Sequence, residues 1–204
     1  MIRELVLATR NQHKGGELAA LLGDLGIRIR TLAEFPDAPD VVEDGATCEA
    51  NAVKKARVIA RATGLLSVAD DTGLEVDALG GRPGVYAARY AGEGATYDDN
   101  CRKLLEELKG VPRDRRTARF ITVAAIAWPS DGIEVATGSL PGIITEQPTG
   151  SQGFGYDPVF LVPELGKTLA ELSPEEKNRV SHRAKAFAQV RKLLQDTTGA
   201  AHLT

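Results

Sequence analysis

Cysteine, aromatic residues and basic excess are all scarce in this chain of 204 residues. The two cysteines, Cys48 and Cys101, lie far apart. They offer neither a disulfide framework nor the close pairing of a zinc site, so a reducing compartment is expected. Aromatics make up 5% of the chain and apolar residues 43%, a soluble globular composition. The formal net charge of −3 argues against general affinity for a nucleic-acid backbone. A local basic pocket for a small anion stays open. No apolar run is long enough to span a bilayer, and the one in "MIRELVLATRN" is too short for a signal peptide. These absences predict a cytoplasmic protein that engages neither nucleic acid nor membrane. There is no internal repeat and no low-complexity tract, and the length suits one large domain or two small lobes around one core.

What the chain does contain begins as a β-α-β pattern. "ELVLA" (Glu4–Ala8) reads as a buried strand. Leu18, Leu21, Leu22 and Leu25 follow at helical spacing, with Gly26 as the stop. "IRIRTL" alternates as a second strand. After the loop "FPDAPDVVEDGA", a helix is predicted from about Thr47 to Thr63. Ala52, Val53, Ala56, Ile59 and Ala60 form its apolar face, and Lys54, Lys55, Arg57 and Arg61 its solvent face. "LLSVA" (Leu65–Ala69) reads as a buried strand that ends where Asp70 and Asp71 begin a turn. "YDDNCRKLLEELKG" is an amphipathic helix closed by Gly110. "ARFITVAAIAW", the turn "PSDG" and "IEVATGSLPGIIT" form a pair of antiparallel strands. Ser173, Pro174 and Glu176 make a capping box with proline at the first helical position, and "HRAKAFAQVRKLLQ" is the closing helix. The expected fold is α/β: a mixed sheet flanked by helices on both faces, one domain over 1–204 with a second lobe at about 72–150 and a cleft between the lobes. The loops after Ala8 and Ala69 leave the carboxyl ends of strands, where open α/β sheets bind ligands.

Four stretches carry groups suited to chemistry, and each also has a plainer reading. "TRNQHKGGE" joins a strand to a helix. Lys14 lies near the helix N-terminus, and Thr9 and Asn11 add side-chain donors, which together suit a polyphosphate. The stretch is equally a polar turn with an N-cap. Asp70 and Asp71, with Glu43 as a third acid, suit magnesium, which needs few protein carboxylates when substrate phosphates and waters complete its shell. Alternatively the pair forms and caps a turn. In "TGSQGFGYDPVF", Gly150, Gly153 and Gly155 allow close backbone approach, and Phe154 or Tyr156 can stack on a base; both aromatics also suit a core. In "EEKNRVSHRAKA", Lys177, His182 and Arg183 crowd donors that suit phosphate or a base oxygen, or else a solvated helix face.

Taken in order, the motifs resemble those of the inosine triphosphate pyrophosphatase family over nearly the whole chain. Thr9, Asn11, Lys14 and Glu17 resemble its opening T/S-x-N-x-x-K-x-x-E pattern. "VVEDGATCEANAVKKA" resembles its acidic loop and helix, and "ADDTGLEVDALGGRPGVYAARYAG" its A-D-D-S-G-L block. "GFGYDPVF" and "SHRAKA" match its two late motifs. Three positions depart from the pattern. Thr72 replaces serine and keeps the hydroxyl. Arg10 stands where a small residue is usual. Ala50 stands where glutamate is usual, with Glu49 one place earlier, and one helical step turns a side chain by about 100°.

The resemblance implies an elongated mixed-sheet fold, a homodimer, Mg2+ as cofactor, and hydrolysis of ITP, dITP and XTP to the monophosphate and pyrophosphate. It implies a metal set of Glu43, Asp70 and Asp71, with Asp71 as the catalytic base. It implies substrate contacts from Thr9, Arg10, Asn11, Gln12, His13, Lys14, Thr72, Phe154, Gly155, Tyr156, Asp157, Lys177, His182 and Arg183. The rival readings are a related pyrophosphatase acting on pyrimidine or modified nucleotides, and a nucleotide sensor that does not hydrolyse.

Overall fold

The computed structural model describes residues 4–199. Met1, Ile2 and Arg3, part of the stretch tested for a leader, lie outside the described residues. Among those described, no helix is long and apolar enough to cross a membrane.

The β-α-β opening forms as its pattern predicts. Strand β1 (Glu4–Leu7) buries Leu5, Val6 and Leu7 completely. Asn11 caps helix α1 (Gln12–Leu22), which buries Leu18 and Leu22 at an i, i+4 spacing. The helix ends before Gly26, which supplies the left-handed turn (φ 67) that leads into β2 (Arg28–Thr31). Strand β2 pairs with β1 in parallel, Leu5 opposite Ile29. Helix α2 (Cys48–Thr63) is capped by the Thr47 hydroxyl, which accepts from the Ala50 N–H, and closes on left-handed Gly64.

Strand β3 departs from the sequence expectation. It does not stop at Ala69 but runs from Leu66 to Val76, straight through the acidic pair. Aspartate is a poor strand former on propensity alone, and burial with specific partners on both faces overrides that preference. Further on come β4 (Pro83–Gly84), α3 (Tyr97–Glu107), β5 (Thr117–Ala127), β6 (Ile133–Ile144), β7 (Phe160–Val162), β8 (Lys167–Thr168), α4 (Pro174–Val180) and α5 (His182–Gly199). The capping box forms as predicted, with the Ser173 side chain accepting from the Glu176 N–H and Pro174 at the first helical position.

The strands make one mixed sheet in the order β2-β1-β3-β5-β6-β7-β8, with β4 paired to β3. Pairing is parallel at β1–β2 and β1–β3, and antiparallel at β3–β4, β6–β7 and β7–β8. The chain divides into two compact units. One comprises Met1–Asp71, Thr122–Gly138 and Arg183–Thr204, the other Thr72–Ile121 and Ser139–His182. In the first unit, Leu5, Leu7, Leu66 and Val68 pack with Leu18 and Leu22 of α1 and with Phe187, Val190 and Leu194 of α5. In the second, Leu74 and Val76 of β3 join Leu104 of α3, Leu108 just past its end, Phe120 of β5 and Phe160 of β7. Buried Arg116 closes the end of α3 by donating to the carbonyls of Leu108, Val111 and Thr145. That satisfies acceptors a helix terminus leaves open.

Gly142 of β6 makes room for the second core. A Cβ there would lie 2.4 Å from the Phe160 ring. Gly142→Ala is expected to lower the unfolding free energy by about 1–3 kcal/mol through overpacking. Urea unfolding of the two proteins measures the difference.

Candidate active site

Successive side chains of a strand point to opposite faces of its sheet. Continuing β3 through Asp70 and Asp71 therefore separates the two carboxylates. Asp70 shares its face with Leu66 and Val68, and meets α1 and α5. Its Oδ2 lies 3.1 Å from Arg183 Nε and 3.5 Å from Lys14 Nζ. Arg183 Nη1 in turn donates to Glu17 Oε2 at 2.6 Å. Asp70 and Arg183 are 1% and 2% exposed, so this is a buried ion network. Burial alone would raise the Asp70 pKa, but Lys14, Arg183 and Lys55 outweigh it and hold the carboxyl well below the usual range. The same carboxylates overcome burial at Arg183 and raise its pKa.

Asp71 meets α2 instead. Asn51 Nδ2 donates to Asp71 Oδ2 at 3.0 Å, and Asn51 Oδ1 accepts from the Gly45 N–H at 2.7 Å. Lys55 Nζ donates to Glu43 Oε1 at 2.5 Å and to the backbone carbonyl of Asp70 at 2.7 Å. Burial raises the Asp71 pKa. The pull of Lys55, Lys14 and the Asn51 hydrogen bond does not cancel it, and Glu43 adds to it, so the carboxyl stands above its ordinary value. The adjacent acids thus have different chemistry: Asp70 stays ionised in its ion network, whereas Asp71 has a raised proton affinity. Cys48, in the first turn of α2, is no thiolate; burial and the neighbouring Asp71 push its thiol up to about 12.

Lys55 and Asn51 are the residues that the sequence reading misplaced or missed. Lys55 was expected on the solvent face of α2 beside Lys54, yet it is buried, as is Asn51. The signal lay in the spacing. Asn51 and Lys55 sit i, i+4 apart on the stripe that holds Ala52, Ala56 and Ile59. The lysine stem packs while its ammonium meets two oxygens. Ala50 and Glu49, by contrast, are both exposed.

The strand-to-helix loop is an N-cap in its bonds. Thr9 Oγ1 accepts from the Asn11 N–H at 3.2 Å, and Asn11 Oδ1 accepts from the N–H groups of His13 and Lys14 at 3.0 and 3.2 Å. Gln12 and His13 are exposed on the first turn of α1. Arg10 reaches the acidic loop, where Nη2 donates to the Ala38 carbonyl at 2.8 Å and Nε lies 2.5 Å from Asp40 Oδ1.

The late candidates gather in the second unit, save Arg183. Asp157 Oδ2 accepts from the Phe154 N–H at 2.8 Å and from Lys177 Nζ at 2.5 Å, with both charged side chains buried. Lys177 Nζ lies 4.9 Å from the centre of the Phe154 ring, which packs against Tyr97 at 5.8 Å. Gly153 (φ 73) is required here, because a Cβ would meet Asp157 Oδ2 at 2.0 Å. Gly155 (φ 65) makes the next left-handed turn. Tyr156 is buried and donates its hydroxyl to the Ala87 carbonyl at 2.9 Å. His182 is buried and stacks on Phe120 with centroids 4.5 Å apart. Thr72 is half-buried on β3. Two cavities of about 520 and 570 Å³ border α3; none of the candidate site residues lines either. Among the described residues, no three His, Cys, Asp or Glu side chains form a ready metal cage. Glu43, Asp70 and Asp71 are nevertheless hard oxygen donors, and one or two such groups suffice for a cation that also binds phosphates and water.

The split between the two acids has opposite consequences for stability. An unfolded aspartate titrates near ~3.9. With its folded pKa depressed, Asp70 contributes stability that is present above that value and is lost as pH falls through the acid range. With its pKa raised, Asp71 is destabilising when ionised, and that cost is relieved as pH falls. Asp70→Asn, which breaks a buried pair, should lower unfolding free energy at pH 7 by roughly 3–5 kcal/mol and flatten the acid limb of the stability curve. Asp71→Asn should leave stability at pH 7 unchanged or raise it. Urea titrations at neutral and acid pH measure both, and an equal loss in the two variants would contradict the split.

The chain's relatives agree with the motif-level resemblance. A family model described as the Ham1 family matches residues 5–193. The dITP/XTP pyrophosphatase of Geobacillus kaustophilus is 50% identical over 198 residues, 97% of each chain. That of Geobacter sulfurreducens is 51% identical over 195 residues, 96% of each. The solved structure of a HAM1 protein from Coxiella burnetii matches with a TM-score of 0.86 at 42% identity, covering 96% of this chain and 100% of that one. With sequence and architecture matched nearly from end to end, the chain belongs to the Ham1 family.

Proposed function

We propose that this protein is a nucleoside triphosphate pyrophosphatase that clears deaminated purines by hydrolysing ITP, dITP and XTP to the monophosphate and pyrophosphate. Relatives named dITP/XTP pyrophosphatase at about half identity support the substrate class. The observation that carries the chemistry is the division of the acidic pair: Asp70 is tied to Arg183 and Lys14, whereas Asp71 takes a hydrogen bond from the Asn51 amide.

In this reading a water attacks the α-phosphorus and the α–β anhydride bond breaks. Asp71 accepts the proton from that water: its carboxylate is met by the neutral Asn51 amide, whereas that of Asp70 is held by Arg183 and Lys14. Lys14 meets the negative phosphate chain, with Thr9, Arg10, Asn11, Gln12 and His13 around it at the start of α1. Glu43, Asp70 and Asp71 would hold Mg2+. When bound, that ion neutralises charge on the triphosphate and on the departing pyrophosphate. Thr72 follows directly on the acidic pair.

The base falls to the second group. Lys177 is held in place by Asp157 beside the Phe154 ring, and Gly155, Tyr156 and His182 complete the candidate set. Hypoxanthine and xanthine carry a 6-oxo acceptor where adenine has an amine donor. An ammonium donor there favours the oxo bases and leaves adenine's amine unpaired. We extend the proposal to a homodimer working in the cytoplasm, where the nucleotide pool lies; sedimentation velocity checks the dimer.

With Mg2+ present, pyrophosphate release from ITP, dITP and XTP should exceed that from ATP. Asp71→Asn should lower kcat by about 10²–10⁴-fold, the range of a lost general base. Lys14→Ala should chiefly raise KM for the triphosphate. Binding of ITP without pyrophosphate release would favour a sensor instead, and turnover of pyrimidine triphosphates a different substrate class.

A further inference from the structure

We propose that Asn51 is a positioning residue, whose amide ties the acidic loop to Asp71 and fixes the orientation of that carboxylate for proton transfer. The inference rests on Asp71 acting as the base, as proposed above, and adds to it a residue that acts through Asp71.

Asn51 is 1% exposed, and both ends of its amide are used. The carbonyl oxygen takes the Gly45 N–H at 2.7 Å, and the NH2 group donates to Asp71 Oδ2 at 3.0 Å. Only an amide offers an acceptor on one side and a donor on the other in this shape. A carboxylate lacks the donor, and an apolar side chain removes both hydrogen bonds at once. The loop is shaped to the amide as well. A Cβ at Gly45 would lie 2.6 Å from Asn51 Oδ1 and 2.9 Å from the Ala50 Cβ, so glycine is what lets the loop approach.

Lys55 repeats the arrangement one helical turn later. It joins Glu43 of the same loop to the carbonyl of Asp70 on the same strand. Helix α2 therefore grips the acidic loop twice and β3 twice, once through an amide and once through an ammonium. The amide bridge ends on the carboxylate that faces the attacking water in the proposed reaction, and a misplacement of about 1 Å there costs on the order of 10²-fold in rate.

The test compares kcat and KM for ITP at saturating Mg2+ in wild type, Asn51→Leu, Asn51→Asp and Gly45→Ala. Thermal unfolding and circular dichroism show which variants are folded at the assay temperature. Asn51→Leu should lower kcat about 10–100-fold, the usual cost of losing an outer-shell partner, with KM within about threefold of wild type. Asn51→Asp keeps an oxygen for Gly45 but loses the donor to Asp71, and its kcat should stay as low. Gly45→Ala carries no reactive group, yet pushes the amide aside, so it should also lower kcat at nearly constant KM. A folded Asn51→Asp or Asn51→Leu with kcat within twofold of wild type overturns the proposal, as does a rise in KM at unchanged kcat. If both Asn51 variants fail to fold, Gly45→Ala decides by the same criterion. Absence of pyrophosphate release by the wild type would instead overturn the hydrolase reading.

Discussion

The alternation of side chains along β3 is the constraint on which the candidate site depends. Two adjacent carboxylates in a turn would share one patch of solvent and repel each other. In a strand they are sent to opposite faces, and each meets a different set of groups. Asp70 faces the cations of α1 and α5, and Asp71 faces the amide of α2. From that one geometric fact follow the low pKa of the first, the raised pKa of the second, and the assignment of separate roles to neighbours of identical chemistry.

Such an arrangement is expensive. Taking ions out of water costs several kcal/mol each, and mutual attraction repays it only when geometry and hydrogen bonding are good. Here the repayment is spread over a chain of contacts. Glu17 and Asp70 share Arg183, while Glu43 and the Asp70 carbonyl share Lys55. An apolar replacement could pack as well, but it would not hold several carboxylates and ammonium groups in fixed places. In the proposed function that requirement comes from handling a highly charged phosphate chain, which gives a reason for burying ions where Leu or Ile would fold more simply.

The second unit applies the same economy to one lysine. Lys177 cannot swing freely, since Asp157 fixes its ammonium and Phe154 lies beside it. Gly153 permits the approach by having no Cβ. In the proposed reading of Lys177 as the base-sensing group, a donor held rigidly discriminates better than a mobile one, because a wrong partner cannot be accommodated by rotation.

Much of the local architecture was legible in the sequence, since capping, turn and packing signals act within a few residues. The opening β-α-β pattern, the Thr47 and Ser173 caps and the apolar stripe of α2 all follow from spacing. The ordered motifs were enough to indicate the family, which the full-length matches bear out. Three things were not legible: that β3 continues past Ala69, that Lys55 is buried, and that Arg183 grips Asp70. The last pair is separated by 113 positions, and the bond from Arg183 to Glu17 by 166. No local pattern encodes a partner at that distance. The sequence determined which residue types are present and which helix or strand most of them would occupy. Only the tertiary structure decided which charges meet, because the pKa of a carboxylate depends on what lies within a few ångströms of it in space.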